Sequence, residues 1–429
     1  MLFRNVRVFA PDTAEGSTAA TDVRIAGDRV AAIGSLLPGD GEPVIEGNCN
    51  LLMPGLVNGH FHSSVTHMKG ALDSLPLELF MLYESPASEA LRPTPREAYL
   101  RTMLGALEML RCGTTAVQDD AFFVPDPTTD IIDAVCQAYA DCGIRATVAL
   151  DQPDVAELDK LPYLRDLLPP VLREASSRPP AFGRDALLEA YRHLIATWHG
   201  AADFRLRAAV SCSAPQRVSR RYLDDLMALS EARGLPFYTH MLETRLQRVF
   251  GQRCLAGRSL VRHAAECGLL SPRLNIIHAI WVDEGDLDLI ADAGAVIAHN
   301  PISNLRLGSG VMPFRRIRDR GIPVCLGTDE AIADDSVNMW AVAKAAGLVH
   351  NITDPNHAAW PRAGEVLDCL IAGGARAMGL QDQLGIVAAG QLADLVLLDL
   401  DTLAFTPLND LRRQLVYCEN GSSVLLTMV

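Results

Sequence analysis

Apolar and polar residues tend to alternate over roughly the first fifty positions. The stretches "LFRNVRVFAP", "ATDVRIAGDRVAAIGS" and "PVIEGNCN" carry the pattern. A period of two is that of a strand with one buried face. Turn residues separate the stretches, Gly27-Asp28 and Pro38-Gly39-Asp40-Gly41, so short antiparallel strands are expected. The texture returns at the other end in "GQLADLVLLDLD", "LRRQLVYCENG" and "SVLLTMV". These ends predict one small β-sandwich domain, built from residues 1–53 plus 385–429.

Between them, residues 54–384 alternate strand and helix patterns. Eight strand candidates occur: "NLLMPGLV", "TTAVQ", "RATVALD", "RLRAAVSCSA", "LPFYTHM", "LNIIHAI", "GAVIAHN" and "IPVCLGTD". Helical stretches separate them, among them "PREAYLRTMLGALEMLRCG", "DIIDAVCQAYADCG", "RRYLDDLMALSEARG" and "VDEGDLDLIADAG". Several end in Gly, a common helix stop. Asp283 with Asp286 three residues on makes a capping-box start. Eight βα units in series predict an α/β fold, a (β/α)8 TIM barrel. The competing open doubly wound sheet lacks its usual Gly-rich phosphate turn here. The connection after the first strand is long, about residues 63–95, and holds Pro76, Pro86, Pro93 and Pro95. A segment of that length predicts a lid or substrate loop.

Composition narrows the function. The 429 residues are 49% hydrophobic, enough for a large core, and the net charge is −14. That balance argues against a nucleic-acid partner, which needs a basic surface. The ten cysteines form no CxxC pair and read as reduced thiols. No apolar run approaches the roughly 18 residues of a membrane span. The start, "MLFRNVRVFAPDT", lacks the apolar stretch of a secretion signal. A cytoplasmic location without membrane contact is expected.

Barrel chemistry sits at the C-terminal ends of strands. There the candidate strands deliver His60 and His62 in "NGHFHSSVTHMKG", and His240 with Glu243 in "THMLET". Later strands deliver His278 in "NIIHAI", His299 in "VIAHNPISNLRL" and Asp329 in "CLGTDE". Five of the eleven histidines thus fall at the same end of four strands. His60 and His62, two apart on a strand, share one face and make a bidentate metal grip.

The set "PGLVNGHFH", "THMLET", "IHA", "AHNPISNLRLGSG" and "LGTD" resembles the amidohydrolase superfamily. More narrowly it resembles the branch of chlorotriazine hydrolases, guanine deaminases and adenosine-type deaminases, over nearly the whole chain. The resemblance implies a hydrolase of C–N bonds, most simply a deaminase of an amino-substituted N-heterocycle. It implies one divalent metal ion, zinc or iron, on His60, His62, His240 and Asp329. The lysine that bridges two metals in other branches is absent from "AAVSCSAPQRV", so a mononuclear site is expected. The implied roles are Asp329 as general base for a metal-activated water and His278 as hydrogen-bond partner of that water or the oxyanion. Glu243 would be the proton carrier to the ring nitrogen and leaving group. His299, His67 and Gln216 are candidate substrate contacts.

Where relatives often read Gly-Thr-Asp-Gly followed by a pair of asparagines, this chain reads "GTDEAIADDS", with Glu330, Asp334 and Asp335. "QDDAFF" adds Asp119 and Asp120, and the first loop adds Glu78 and Glu84. With Glu330, Asp119, Asp120 and Glu84 as substrate contacts, the pocket would favour a cationic amidine, guanidine or amine. A second reading follows: an amidase or amidine-forming enzyme acting on a peptide-like or natural-product substrate. The expected partners are this small molecule and a second copy of the chain, as a homodimer. Relatives often continue past "ENGSSVLLTMV", so either a smaller terminal β-unit or a truncated or spliced form of the sequence is expected.

Overall fold

A computed structural model describes residues 1–84, 92–123, 125–160, 165–166 and 168–429. The N-terminal strands are β1 (Leu2–Phe9), β2 (Ser17–Ala26), β3 (Arg29–Gly34), β4 (Val44–Glu46) and β5 (Leu51–Pro54). The middle of the chain supplies β6 (Leu56–His62), β7 (Thr114–Ala121), β8 (Arg145–Leu150), β9 (Leu206–Ala208) and β10 (Val210–Ser211). It continues with β11 (Phe237–Met241), β12 (Leu274–His278), β13 (Val296–His299), β14 (Val324–Leu326) and β15 (Asp329–Glu330). β16 (Leu395–Leu398) and β17 (Val424–Met428) close the chain.

The two chain ends meet in a seven-stranded sheet of order β17-β16-β5-β1-β2-β3, with β4 beside β1. Hydrogen bonding links these strands into one sheet, where the sequence suggested a sandwich. "LRRQLVYCENG" is not a strand: Leu411–Tyr417 is helical, capped by Asp410, whose carboxylate accepts from the Arg413 amide. Leu411 and Leu415, one helical turn apart, are its buried residues along with Val416. That spacing marks helix over strand.

Alternation gives this sheet two buried faces. Phe3, Val6, Val8, Leu52, Leu395 and Leu397 form a core of their own. Leu51, Met53, Val396 and Leu398, on the same strands, join the main core instead. A buried ion pair also ties the sheet to the rest of the chain. Arg145 donates from Nε and Nη2 to the two Asp394 oxygens at 2.9 and 2.8 Å. Breaking such a pair strands the remaining charge, a cost on the order of 3–5 kcal/mol. Asp394→Ala is therefore expected to lower the urea midpoint clearly, whereas replacing both residues with apolar ones should recover much of the loss. An unchanged midpoint for Asp394→Ala would refute a structural role for the pair.

The remaining strands form two five-stranded parallel sheets, β10-β11-β12-β13-β14 and β15-β6-β7-β8-β9. Each of the eight candidate segments contains a strand. "NLLMPGLV" divides: β5 belongs to the terminal sheet, and β6 starts the parallel one after Gly55. A Cβ on Gly55 would lie 2.1 Å from the Thr115 hydroxyl, so the crossing point tolerates no side chain. β9 and β10 are separated by Ala209, whose amide still donates to the Val148 carbonyl at 2.8 Å. β14 and β15 are separated by Gly327 and Thr328.

Side chains of the parallel strands are buried on both faces. Ala149, Tyr238, Ile277, Ala298 and Cys325 form one cluster. Val117, Val148, Phe237, Ile276, Ile297 and Val324 join the larger core with the helices. Helices Thr129–Cys142, Arg220–Arg233 and Glu284–Ala293 stop at glycines, and Asp283 and Asp286 form the expected capping box.

The long first connection holds a 3-10 turn, Ser63–Met68, and a helix, Leu77–Glu84. Pro86 and its neighbours lie outside the described residues. Thr244 donates to Glu78 at 2.7 Å, tying this connection to the loop after β11. Among the described residues no helix is long and apolar enough to cross a membrane.

Candidate active site

The histidine pair is aimed by an irregularity. The β6–β7 register shifts between Asn58 and Phe61, a bulge that re-aims side chains. Phe61 then packs toward the helix Pro95–Arg111, where a Cβ on Gly105 would lie 2.8 Å from its ring. His60 and His62 face the opposite way. Asn58 locks this strand to the segment entering its neighbour β15, donating to Thr328 Oγ1 at 2.8 Å and accepting from its amide at 3.1 Å. That lock sets Asp329 beside the pair. Asp329 Oδ1 lies 3.3 Å from His60 Nε2 and 3.5 Å from His62 Nε2.

One ligand nitrogen from each of His60, His62 and His240 lies within 4.8 Å of the others. His240 Nδ1 donates to the Ser213 carbonyl at 2.8 Å, and His62 Nδ1 to the Asp120 carbonyl. These bonds leave each Nε2 with a free lone pair. His60 Nε2 is buried and has no hydrogen-bond partner. Burial pushes His60 down to about 4 and His240 well below the usual range. Burial opposes ionisation of Asp329, but His60, His278 and His62 outweigh it and hold the carboxyl well below its usual range. Burial also lowers His62, yet Asp329, Asp120, Asp151 and Glu84 overcome it and raise the ring. The concentrated negative charge that favours a proton there equally favours a metal cation. Three imidazoles and a carboxylate, already oriented by their partners, fit one divalent ion.

Two further groups border this cluster. Glu243 Oε2 stands 3.6 Å from His278 Nε2, and His278 Nε2 stands 3.7 Å from Asp329 Oδ2. His278 and Asp329 have φ of 73° and 63°, so the strands break their alternation here. Such strained backbone occurs where a side chain must point at a site. His278 Nδ1 donates to Asn304 Oδ1 at 2.9 Å, and Ser303 donates to Asp329 Oδ2 at 2.8 Å. Burial pushes the Glu243 carboxyl up to about 7, with His278 partly offsetting it.

The other candidates divide. A Glu330 oxygen lies within 4.8 Å of the ligand atoms of His62 and Asp329, so Glu330 faces the site. Glu84 and Glu330 share a side-chain hydrogen bond, and burial is the first cause raising both carboxyls. Asp119 does not face the site. It accepts from the Ser63 amide at 3.0 Å and the Tyr139 hydroxyl at 2.8 Å, on the helix side. Successive strand residues point oppositely, so of the two aspartates in "QDD" only Asp120, on the same face as Gln118, points inward. His299 obeys the same rule. Ala298 belongs to the inner cluster, while His299 Nε2 lies 3.2 Å from His350 Nε2. Asp335 is structural, accepting from the Gly70 amide at 2.6 Å and pairing with Arg306 at 2.9 Å. His67 and Glu84 line a cavity of about 220 Å³ with Arg101, Tyr83 and Phe122. Gln216 lies on the turn Pro215–Arg217, close in sequence to Ser213, and its Oε1 is buried without a partner.

Sequence reasoning passed over Asp151, Ser303, Asn304 and Ser309. Three of them lie inside "HNPISNLRLGS", where His299 drew the attention. Their hydrogen bonds to Asp329, His278 and Glu243 explain that segment's placement. Asp151 ends "RATVALD" and carried a readable signal, a charge at the end of a buried strand.

A parallel α/β fold carrying three imidazoles, a carboxylate and a flanking Glu–His pair has the donors and proton carriers of a metal-dependent hydrolase. The amidohydrolase family matches residues 51–429, and the chain belongs to it. It is 31% identical to the 5'-deoxyadenosine deaminase of Methanothermobacter thermautotrophicus, across 94% of this chain and 86% of that protein. It is 33% identical to the 5-methylthioadenosine/S-adenosylhomocysteine deaminase of Nitratidesulfovibrio vulgaris, across 88% of this chain and 78% of that one. In structure it resembles the zinc-complexed atrazine chlorohydrolase of Arthrobacter aurescens, with a TM-score of 0.85 and 25% identity over 99% and 95% of the two chains. It also resembles a zinc-bound adenosine deaminase of Xanthomonas campestris, with a TM-score of 0.84 and 24% identity over 100% and 91%. The fold is thus TIM-barrel-like, and the chain is a hydrolase acting on C–N bonds.

Proposed function

We propose that the chain is a mononuclear, zinc-dependent deaminase of an amino-substituted N-heterocycle. Its two parallel sheets would close as a (β/α)8 barrel over residues 54–384, with residues 1–53 and 385–429 as a separate small domain. The carrying observation is Glu243 and His278, 3.6 Å apart, beside Asp329 and the three-imidazole cluster. His60, His62, His240 and Asp329 would hold a divalent ion, which would activate a water for attack near neutral pH. Asp329, oriented by Ser303, accepts the proton of the attacking water. His278, oriented by Asn304, faces the developing oxyanion. Glu243, raised toward neutrality, gives its proton to the ring nitrogen; the proton that Asp329 took from the water goes to the departing amine, and the hydroxyl proton released as the carbonyl forms returns to Glu243. The test is ammonia release from a panel of aminopurines, aminopyrimidines and amino-triazines by metal-loaded protein. Failure on the whole panel would refute the deaminase reading.

The Glu84–Glu330 pair supports a cationic group on the substrate. Two carboxyls in hydrogen-bond contact cannot both ionise cheaply, and an incoming cation relieves the repulsion. The same pair favours the second reading, an amidase or amidine-forming enzyme on a peptide-like substrate. Glu330→Gln is expected to lose rate on a cationic substrate by on the order of tenfold or more and to change little on its neutral isostere. Equal losses on both would assign Glu330 to supporting the metal instead.

A further inference from the structure

Asp120 has no place in the chemistry above, yet it is the most anomalous charge in the fold. It is 0% exposed, and neither carboxylate oxygen makes a hydrogen bond of ordinary geometry, although the Ser211 hydroxyl stands close enough to favour its ionised form. A buried carboxylate without donors is costly and calls for a proton or a cation. Its salt-bridge contact among the described residues is His240 Nδ1, at 4.0 Å. That nitrogen is already engaged with the Ser213 carbonyl.

The next strand brings a second carboxylate. The Asp151 amide donates to the Ala121 carbonyl at 2.9 Å, which places Asp151 beside the end of β7. Ligand atoms of Asp120, Asp151 and His240 all lie within 4.8 Å of one another. The Asp120 and Asp151 oxygens, so spaced, can flank one cation at ordinary metal–oxygen distances, about 2–2.6 Å, with the His240 ring as a wall rather than a donor. The wall near Asp120 offers more oxygen without donors. Tyr238, two residues before His240 in the inner cluster, has a buried hydroxyl without a partner, and Asp120 acts on it electrostatically. Gln118 Oε1, two residues before Asp120, is also buried and unpartnered.

We infer that Asp120 and Asp151 form a second cation site, bounded by His240, that takes a hard divalent ion such as Mn²⁺, Mg²⁺ or Ca²⁺. Its carboxylate donors set it apart from the imidazole-rich cluster, which suits zinc. The site uses neither Glu243 nor His278, so it stands or falls independently of the deaminase reading.

The test starts from protein holding one zinc per chain, titrated with Mn²⁺ and followed by the electron paramagnetic resonance of the free ion. Wild type is expected to bind about one further Mn²⁺ per chain. Asp120→Asn and Asp151→Asn should each weaken that binding by about tenfold or more while zinc content holds. Absence of Mn²⁺ binding to the wild type would overturn the inference. Binding that persists unchanged in both variants would overturn it equally. The wild-type titration decides even where a variant does not fold.

Discussion

Glu243→Gln protein is expected to fold, to keep its metal and to lose rate by on the order of 10²–10⁴, the usual worth of a positioned acid–base group. The amide is nearly isosteric with the carboxyl, so the side chain can still accept from Ser309, whose hydroxyl lies 3.4 Å from Glu243 Oε1. The amide has no acidic proton to give the ring nitrogen. Glu243 is buried beside His278, and its carboxyl is pushed up to about 7. It is therefore poised to hold and release a proton near neutrality, as the proposed protonation of a weakly basic ring nitrogen requires. The loss should appear in kcat more than in KM, since the group acts in the transition state. It should be smallest for substrates with good leaving groups, which need least protonation. Near-normal turnover by Glu243→Gln on a true substrate would remove this residue from the reaction.

How far the sequence anticipates this site depends on the kind of information each residue carries. His60, His62, His240, Glu243, His278 and Asp329 were legible because each sits at a strand end within a recognisable string. All six converge in space. The carboxylates were less legible, because charge alone does not say which way a side chain points. "QDD" looked like two pocket residues, but strand alternation gives Asp119 to Tyr139 and Ser63 and only Asp120 to the interior. The rule was available from the sequence; the phase of the strand was not, since it depends on which residue pairs with Phe61. His278 and Asp329 show the converse. Their left-handed backbone breaks alternation, so phase counting along β12 alone would have turned His278 outward. The terminal helix Leu411–Tyr417 was misread for a related reason. A short apolar-rich segment fits either period, and the Asp410 cap decides it.

Replacing both His60 and His62 with Ala is expected to abolish zinc binding at the imidazole cluster and, with it, hydrolysis. The two residues supply half of the proposed donor set, and they hold Asp329 within 3.3 and 3.5 Å of their Nε2 atoms. Without them Asp329 loses the neighbours that keep its buried carboxyl ionised. Of the cluster's imidazoles only His240 would remain, held neutral by burial. A single neutral imidazole beside one carboxylate is a weak and unselective ligand set. Elemental analysis of the wild type should give about one divalent ion per chain in this cluster. The double variant, dialysed alongside, should give close to none. Loss of the ion should also remove whatever stability it contributes, because a ligand that binds only the folded state raises the unfolding midpoint. Wild type should therefore melt lower after chelation, while the double variant should melt at one temperature with or without chelator. Full retention of metal by the double variant would place the ion elsewhere in the fold and undo the assignment of His60 and His62.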